Sequence, residues 1–269
     1  DIATSLNNDI GSLKGLLVSR GSEYGTFDFM SDENYSKVED NIVMETQAEI
    51  SYLARNIMMA MNDIFCPNTT YTAADGTQYT VLDTKNCSVG EDGKLPPLEL
   101  FSRNGYDRYT ETEIDGQKFY VYNGETNANL SSWYKLGNVN VNPKVVAQVT
   151  LMPSYNQDGA ADYGLGDKIS KAWANEGLYI NPNDTSKCNF EGYYDKIISR
   201  LGTSGSVYKS STDTLTSTTA AIDNQRNQIM GVSSDEELTN MIKFQSAYNA
   251  SSRYITVISQ MTELIVGLI

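Results

Sequence analysis

Apolar residues recur along this chain at alternating spacings of three and four in three separate stretches, and in the middle the pattern gives way to short runs between turn signals. The first stretch passes through Val43, Thr46, Ile50, Leu53, Ile57, Ala60 and Ile64. It predicts a helix of roughly eight turns that ends before Pro67, which cannot continue it. The second runs through Phe190, Tyr194, Ile197, Leu201, Ser204, Tyr208, Ser211, Leu215, Thr218, Ile222, Gln225 and Ile229 without losing register at Gly202 or Gly205. That continuity predicts one long helix stopped at Gly231. The third holds Met241, Phe244, Tyr248, Ile255, Ile258, Ile265 and Ile269 on one seam, with Ser251 and Thr262 as small polar members and a second row of Val257, Met261, Leu264 and Leu268. A spacing averaging 3.5 keeps such a seam against one partner helix. Ser234 and Glu237 have capping-box spacing at its start, with Asp235 and Glu236 adding charge where the helix dipole is positive.

Between the helical stretches, Asp75-Gly76 separates Tyr71-Thr72 from Tyr79-Thr80-Val81, and Asp115-Gly116 separates Tyr109-Thr110 from Phe119-Tyr120-Val121-Tyr122. Both read as hairpins, with a further turn at Asn123-Gly124. A short helical segment is expected up to Arg20, another helix start at Ser31, and a short helix from Lys168 to Ala174. The fold class that results is α+β, mainly α: a long-helix bundle formed from both ends of the chain, with a β-hairpin-rich insertion between them. Residues 1–66 and 189–230 are the two parts of the bundle, 67–188 the insertion and its connections, and 231–269 a terminal helix. The first two seams are read as the core of the bundle. The third ends the chain on strongly apolar residues, and it is read as a surface for another molecule: Met241, Phe244, Tyr248, Ile255, Ile258, Met261, Ile265 and Leu268.

Composition narrows the function. A net charge of −14 repels a phosphate backbone and an anionic bilayer. No run reaches eighteen consecutive apolar residues, so no helical span is expected. The chain starts at Asp1 rather than Met, which we read as a fragment or a processed chain. There is no histidine, which removes His-dependent triads and the usual zinc sites. Cys66, Cys87 and Cys188 have no CxxC spacing; Cys66 and Cys87 bracket a hairpin and are either bridged or free. No cofactor, metal or catalytic residue is expected. The rival reading is a glycan hydrolase using a carboxylate pair drawn from Glu111, Glu113 and Asp115, and it requires a cleft with two facing carboxylates.

The residues at the end of the chain also carry a resemblance. Gly231-Val232, Asp235-Glu236-Glu237-Leu238, Phe244-Gln245, Ala247-Tyr248, Ala250 and Arg253 before a final apolar run resemble the C-terminal signature of bacterial flagellar axial proteins, most of all those of the hook–filament junction. Gly11-Ser12-Leu13 to Ser19-Arg20, Gly137 to Pro143, and Phe190-Glu191-Gly192-Tyr193-Tyr194 resemble further stretches of the hook-associated family; the Tyr-rich insertion matches in placement alone. The resemblance implies a non-enzymatic structural subunit that joins hook to filament, exported through the flagellar type III apparatus and located outside the cell. It also implies a dedicated export chaperone on the terminal helix, and as partners other axial proteins (hook, second junction protein) and copies of itself. Another axial or filament subunit, or a surface adhesin, is the alternative reading.

Overall fold

A computed structural model describes residues 11–231 and 233–267. The chain divides into two compact units, Asp1–Gly202 and Thr203–Ile269. The first is built around helix α2 (Ile42–Phe65), preceded by helix α1 (Ser12–Arg20) and short 3-10 turns at Phe27–Met30 and Tyr35–Lys37. Ser31 does not start a helix; its carbonyl accepts the amides of Asn34 and Tyr35 in a turn. At 24 residues, α2 makes about seven turns, one fewer than its periodicity suggested. Its most buried face is also not the expected seam. Met44, Glu45, Ala48, Glu49, Ser51, Met61, Asn62 and Phe65 are buried, whereas Val43 and Ile50 are exposed. The reason is that α2 is covered on more than one side. Met44 and Ala48 pack with Phe29, Met30, Tyr35 and Val38, while the seam residues Leu53, Ile57 and Ala60 pack against Phe190, Tyr193 and Ile197.

The middle region follows the turn signals. Strands β1 (Asn68–Thr72) and β2 (Gln78–Leu82) form one antiparallel hairpin, and β4 (Tyr109–Ile114) and β5 (Gln117–Tyr122) another. The two join in a four-stranded sheet of order β1-β2-β5-β4 through Val81 opposite Val121. Asp115 and Gly116 have φ of 50° and 73°, the positive values that a two-residue hairpin turn of this hand needs. Asp115 also accepts the Tyr71 hydroxyl and the Ala74 amide. No turn forms at Asn123-Gly124. The Asn123 amide group instead donates to Asp107 and Thr110, and the chain turns between Thr126 and Asn129. Strands β3 (Phe101–Arg103) and β6 (Val139–Val141) make a separate pair, followed by helices α3 (Pro143–Ala147) and α4 (Leu165–Ala174). Under this region Phe65, Cys66, Leu82, Cys87, Tyr109 and Leu165 form one apolar cluster. All three cysteines are free thiols and buried, so Cys66 and Cys87 are not bridged.

Helix α5 (Phe190–Met230) runs 41 residues straight through Gly202 and Gly205, as its unbroken register requires. Only its root, in the first unit, serves as bundle core: Phe190, Tyr193 and Ile197 are buried. The rest corrects the expectation. Tyr208, Leu215, Ile222 and Ile229 are all exposed, because nothing described in this chain covers that stretch. The mainly α, α+β class holds; the bundle from both ends of the chain is confined to α2 and the root of α5.

Candidate functional site

Helix α6 (Ser234–Val266) has neither Gly nor Pro in its 33 residues, so nothing in its interior breaks the backbone ladder. Its N-cap is Ser233, whose hydroxyl accepts the Glu236 amide at 3.3 Å. The expected cap was Ser234. Ser233-Ser234 precedes three acidic residues, so Ser233 and Glu236 have the same spacing as Ser234 and Glu237, and the pattern alone offers two registers. Asp235, Glu236 and Glu237 sit in the first turn, where the helix dipole favours negative charge. From Leu238 to Val266 the charged residues are Lys243, Arg253 and Glu263 alone. Thr256 and Thr262 satisfy their hydroxyls on the carbonyls four residues earlier, so neither brings an unpaired polar group to an apolar partner.

Every described residue from 205 to 231 and from 233 to 267 is exposed. The expected contact residues Met241, Phe244, Tyr248, Ile255, Ile258, Met261 and Ile265 range from 45% to 75% exposed; Leu268 lies outside the described residues. Met241, Phe244, Tyr248, Ile255, Ile258 and Ile265 share one slowly turning stripe, since a straight helix drifts by about 20° per heptad. Met261 falls on the adjoining row with Val257 and Leu264. The face is mostly apolar and solvent-facing, with the small polar Ser251 between Tyr248 and Ile255. Burying one of its large apolar side chains fully is worth about 1.5–3 kcal/mol, and packing of an apolar face supplies most of a helix's stability in proteins.

Sequence reasoning missed a second surface. On α5, Tyr208, Leu215, Ile222 and Ile229 recur every seven residues and are exposed. The signal lay in the other half of that seam, where Ser204, Ser211, Thr218 and Gln225 are small or polar. A core seam would carry large apolar residues at both positions.

Two of the three carboxylates of the rival reading have structural partners. Glu111 pairs with Lys118 at 2.6 Å, and Asp115 holds the hairpin tips together. A cleft of 650 Å³ does open beside β3, lined by Pro96, Pro97, Glu99, Arg103, Arg108 and Lys144 among others. Its buried acid, Glu99, accepts the Tyr134 hydroxyl at 2.6 Å and the Asn62 amide at 3.2 Å, and lies 4.0 Å from Arg108. Burial raises its pKa. Arg103 is held between the rings of Tyr106 and Tyr134, 4.6 and 4.4 Å from their centres, and donates to the Ser132 and Asn123 carbonyls. Glu99, Arg103 and Arg108 are thus engaged with the scaffold, and Glu111, Glu113 and Asp115 do not line this cleft. Among the described residues no cluster of metal-binding side chains occurs and no helix is long and apolar enough to cross a membrane.

Residues 225–268, which contain all of α6, match the family described as flagellar basal body rod FlgEFG protein C-terminal. Over 167 residues the chain is 29% identical to flagellar hook-associated protein 1 of Bacillus subtilis (strain 168), covering 61% of this chain and 31% of that protein. The chain therefore spans about a third of the length of this relative. The resemblance read from the last forty residues is borne out by both comparisons, and the apolar seam from Met241 to Ile265 lies inside the matched segment.

Proposed function

We propose that this chain is part of a structural subunit of the bacterial flagellum that joins hook to filament, assembling by helix–helix packing through α6. The observation that carries this is the coincidence of one long, nearly uncharged and mostly apolar face with the segment similar to flagellar axial proteins. The same similarity supports reading it as a non-enzymatic, extracellular component exported by the flagellar apparatus. Residues 231–269 act as the assembly segment, and Met241, Phe244, Tyr248, Ile255, Ile258, Met261, Ile265 and Leu268 form its contact surface toward neighbouring axial proteins or copies of this chain. Before assembly the same face is the surface an export chaperone would cover, because an apolar stripe of this length invites aggregation.

The test introduces charge into the seam. Phe244→Asp with Ile255→Asp, and separately removal of residues 235–269, should abolish self-association in sedimentation and weaken chaperone capture. The thermal transition of the first unit should not move, because α6 supplies none of its buried residues. Unchanged association and unchanged chaperone binding in both variants would refute the assignment.

A further inference from the structure

Two carboxylates one helical turn apart on α2 share a single guanidinium from the root of α5. Arg200 pairs with Glu45 through Nη1 and with Glu49 through Nη2, and Nη2 also donates to the Thr46 hydroxyl at 3.3 Å. The second oxygen of Glu45 accepts the Tyr35 hydroxyl at 2.8 Å. Glu49 is buried at 0% exposure, and its Oε1 has no hydrogen-bond partner among the described residues. The groups facing Glu49 are Glu45 on α2, Tyr35 from the 3-10 turn, and Tyr193 and Arg200 on α5, with Tyr52 beside Tyr193. Of these only Arg200 is a cation. With both glutamates ionised, the cluster holds one net negative charge out of water, and one proton cancels it.

We propose that Glu49 is a proton-operated pin: seating the root of α5 on α2 takes up one proton at this carboxyl, so the contact tightens in mild acid and loosens as the medium turns alkaline. The position suits such a role, since Arg200 lies just before Gly202, where the first unit ends. Burial is the dominant effect and pushes the Glu49 carboxyl up to about 7, outweighing the hydrogen bond and charge of Arg200 that pull it down. A carboxyl raised in the folded state binds more protons there than in the unfolded chain. Its contribution is therefore fully present below the ordinary carboxylate range and is lost as pH rises toward and through about 7. Between pH 5 and pH 8 the loss corresponds to a change on the order of fiftyfold in the opening equilibrium.

Hydrogen exchange read by mass spectrometry on the 269-residue chain, corrected for the intrinsic pH dependence of amide exchange, tests this directly. Peptides from 190–202 and from the first turns of α2 should lose protection between pH 5 and pH 8 in the wild type by a factor of that order. In Glu49→Gln, which keeps the shape without the titration, protection should stay nearly level. Equal losses in both proteins, or none in the wild type, would overturn the proposal. Should Glu49→Gln fail to fold, carbon NMR of the Glu49 carboxyl in the wild type decides it. A midpoint near 7 supports the pin, and one in the ordinary glutamate range ends it.

Discussion

Asn62 is a fully buried amide on α2 that ties the helical scaffold to the β-rich region. Its Nδ2 donates to the Phe101 carbonyl at 2.8 Å and to Glu99 at 3.2 Å, and its Oδ1 accepts the Phe101 amide at 2.9 Å. The side chain thus acts as one more strand residue for β3, closing both backbone groups of Phe101. Replacing Asn62 by alanine leaves that N–H and that C=O without partners in a largely dry position. An unsatisfied buried group costs about 1–3 kcal/mol. Phe101 itself is only half-buried, which favours the lower end, so the sum is about 3 kcal/mol. Glu99 keeps the Tyr134 hydroxyl and adds little. For a unit of this size that loss lowers the melting temperature by about 6–12 °C. Urea unfolding followed by circular dichroism should show the midpoint falling with an unchanged slope. Asn62→Asp should be at least as harmful, because it keeps the acceptor for the Phe101 amide but removes the donor and sets a second carboxylate beside Glu99. A loss below about 1 kcal/mol in Asn62→Ala would mean that Phe101 finds water instead, and the role assigned to Asn62 would fall.

Two other substitutions test the packing around the helices. Gly25→Ala places a Cβ 1.9 Å from the Met44 carbonyl oxygen and 2.8 Å from the Ala48 amide on α2; backbone cannot yield there, so the variant should lose about 2–3 kcal/mol in the same urea assay, and neutral behaviour would contradict the close approach. Gly202→Ala and Gly205→Ala meet nothing within 4 Å and should each stabilise α5 by about 1 kcal/mol, visible as greater helicity and a later loss of helical signal on heating; a destabilised variant would mean that α5 is not a continuous helix there.

Much of this architecture was legible in the residues. Both hairpins follow from Asp-Gly between strand-forming runs: Asp115 and Gly116 both take the positive φ of a two-residue turn, whereas in the first hairpin Gly76 alone does so and Asp75 accepts the Thr77 amide. The continuity of α5 follows from a seam that never slips, and the terminal helix from spacing, capping and the absence of Gly and Pro. The Asn123-Gly124 turn failed because Asn123 uses its amide to bind Asp107 and Thr110 instead. Glu45, Glu49 and Asn62 were missed because a buried polar residue looks, in sequence, like one on the solvent side of a helix.

What the sequence by itself determined was local or periodic: the long helices α2, α5 and α6 to within about a turn, the two Asp-Gly hairpins, and the apolar face of α6 from Met241 to Ile265. What only the tertiary structure decided was which faces are covered. Burial depends on what arrives from distant parts of the chain, and periodicity records that a face is apolar without recording its partner. Hence α2 proved covered on more sides than its seam predicted, the greater part of α5 proved exposed, and an arginine 151 residues away from Glu49 became the partner of its buried carboxyl.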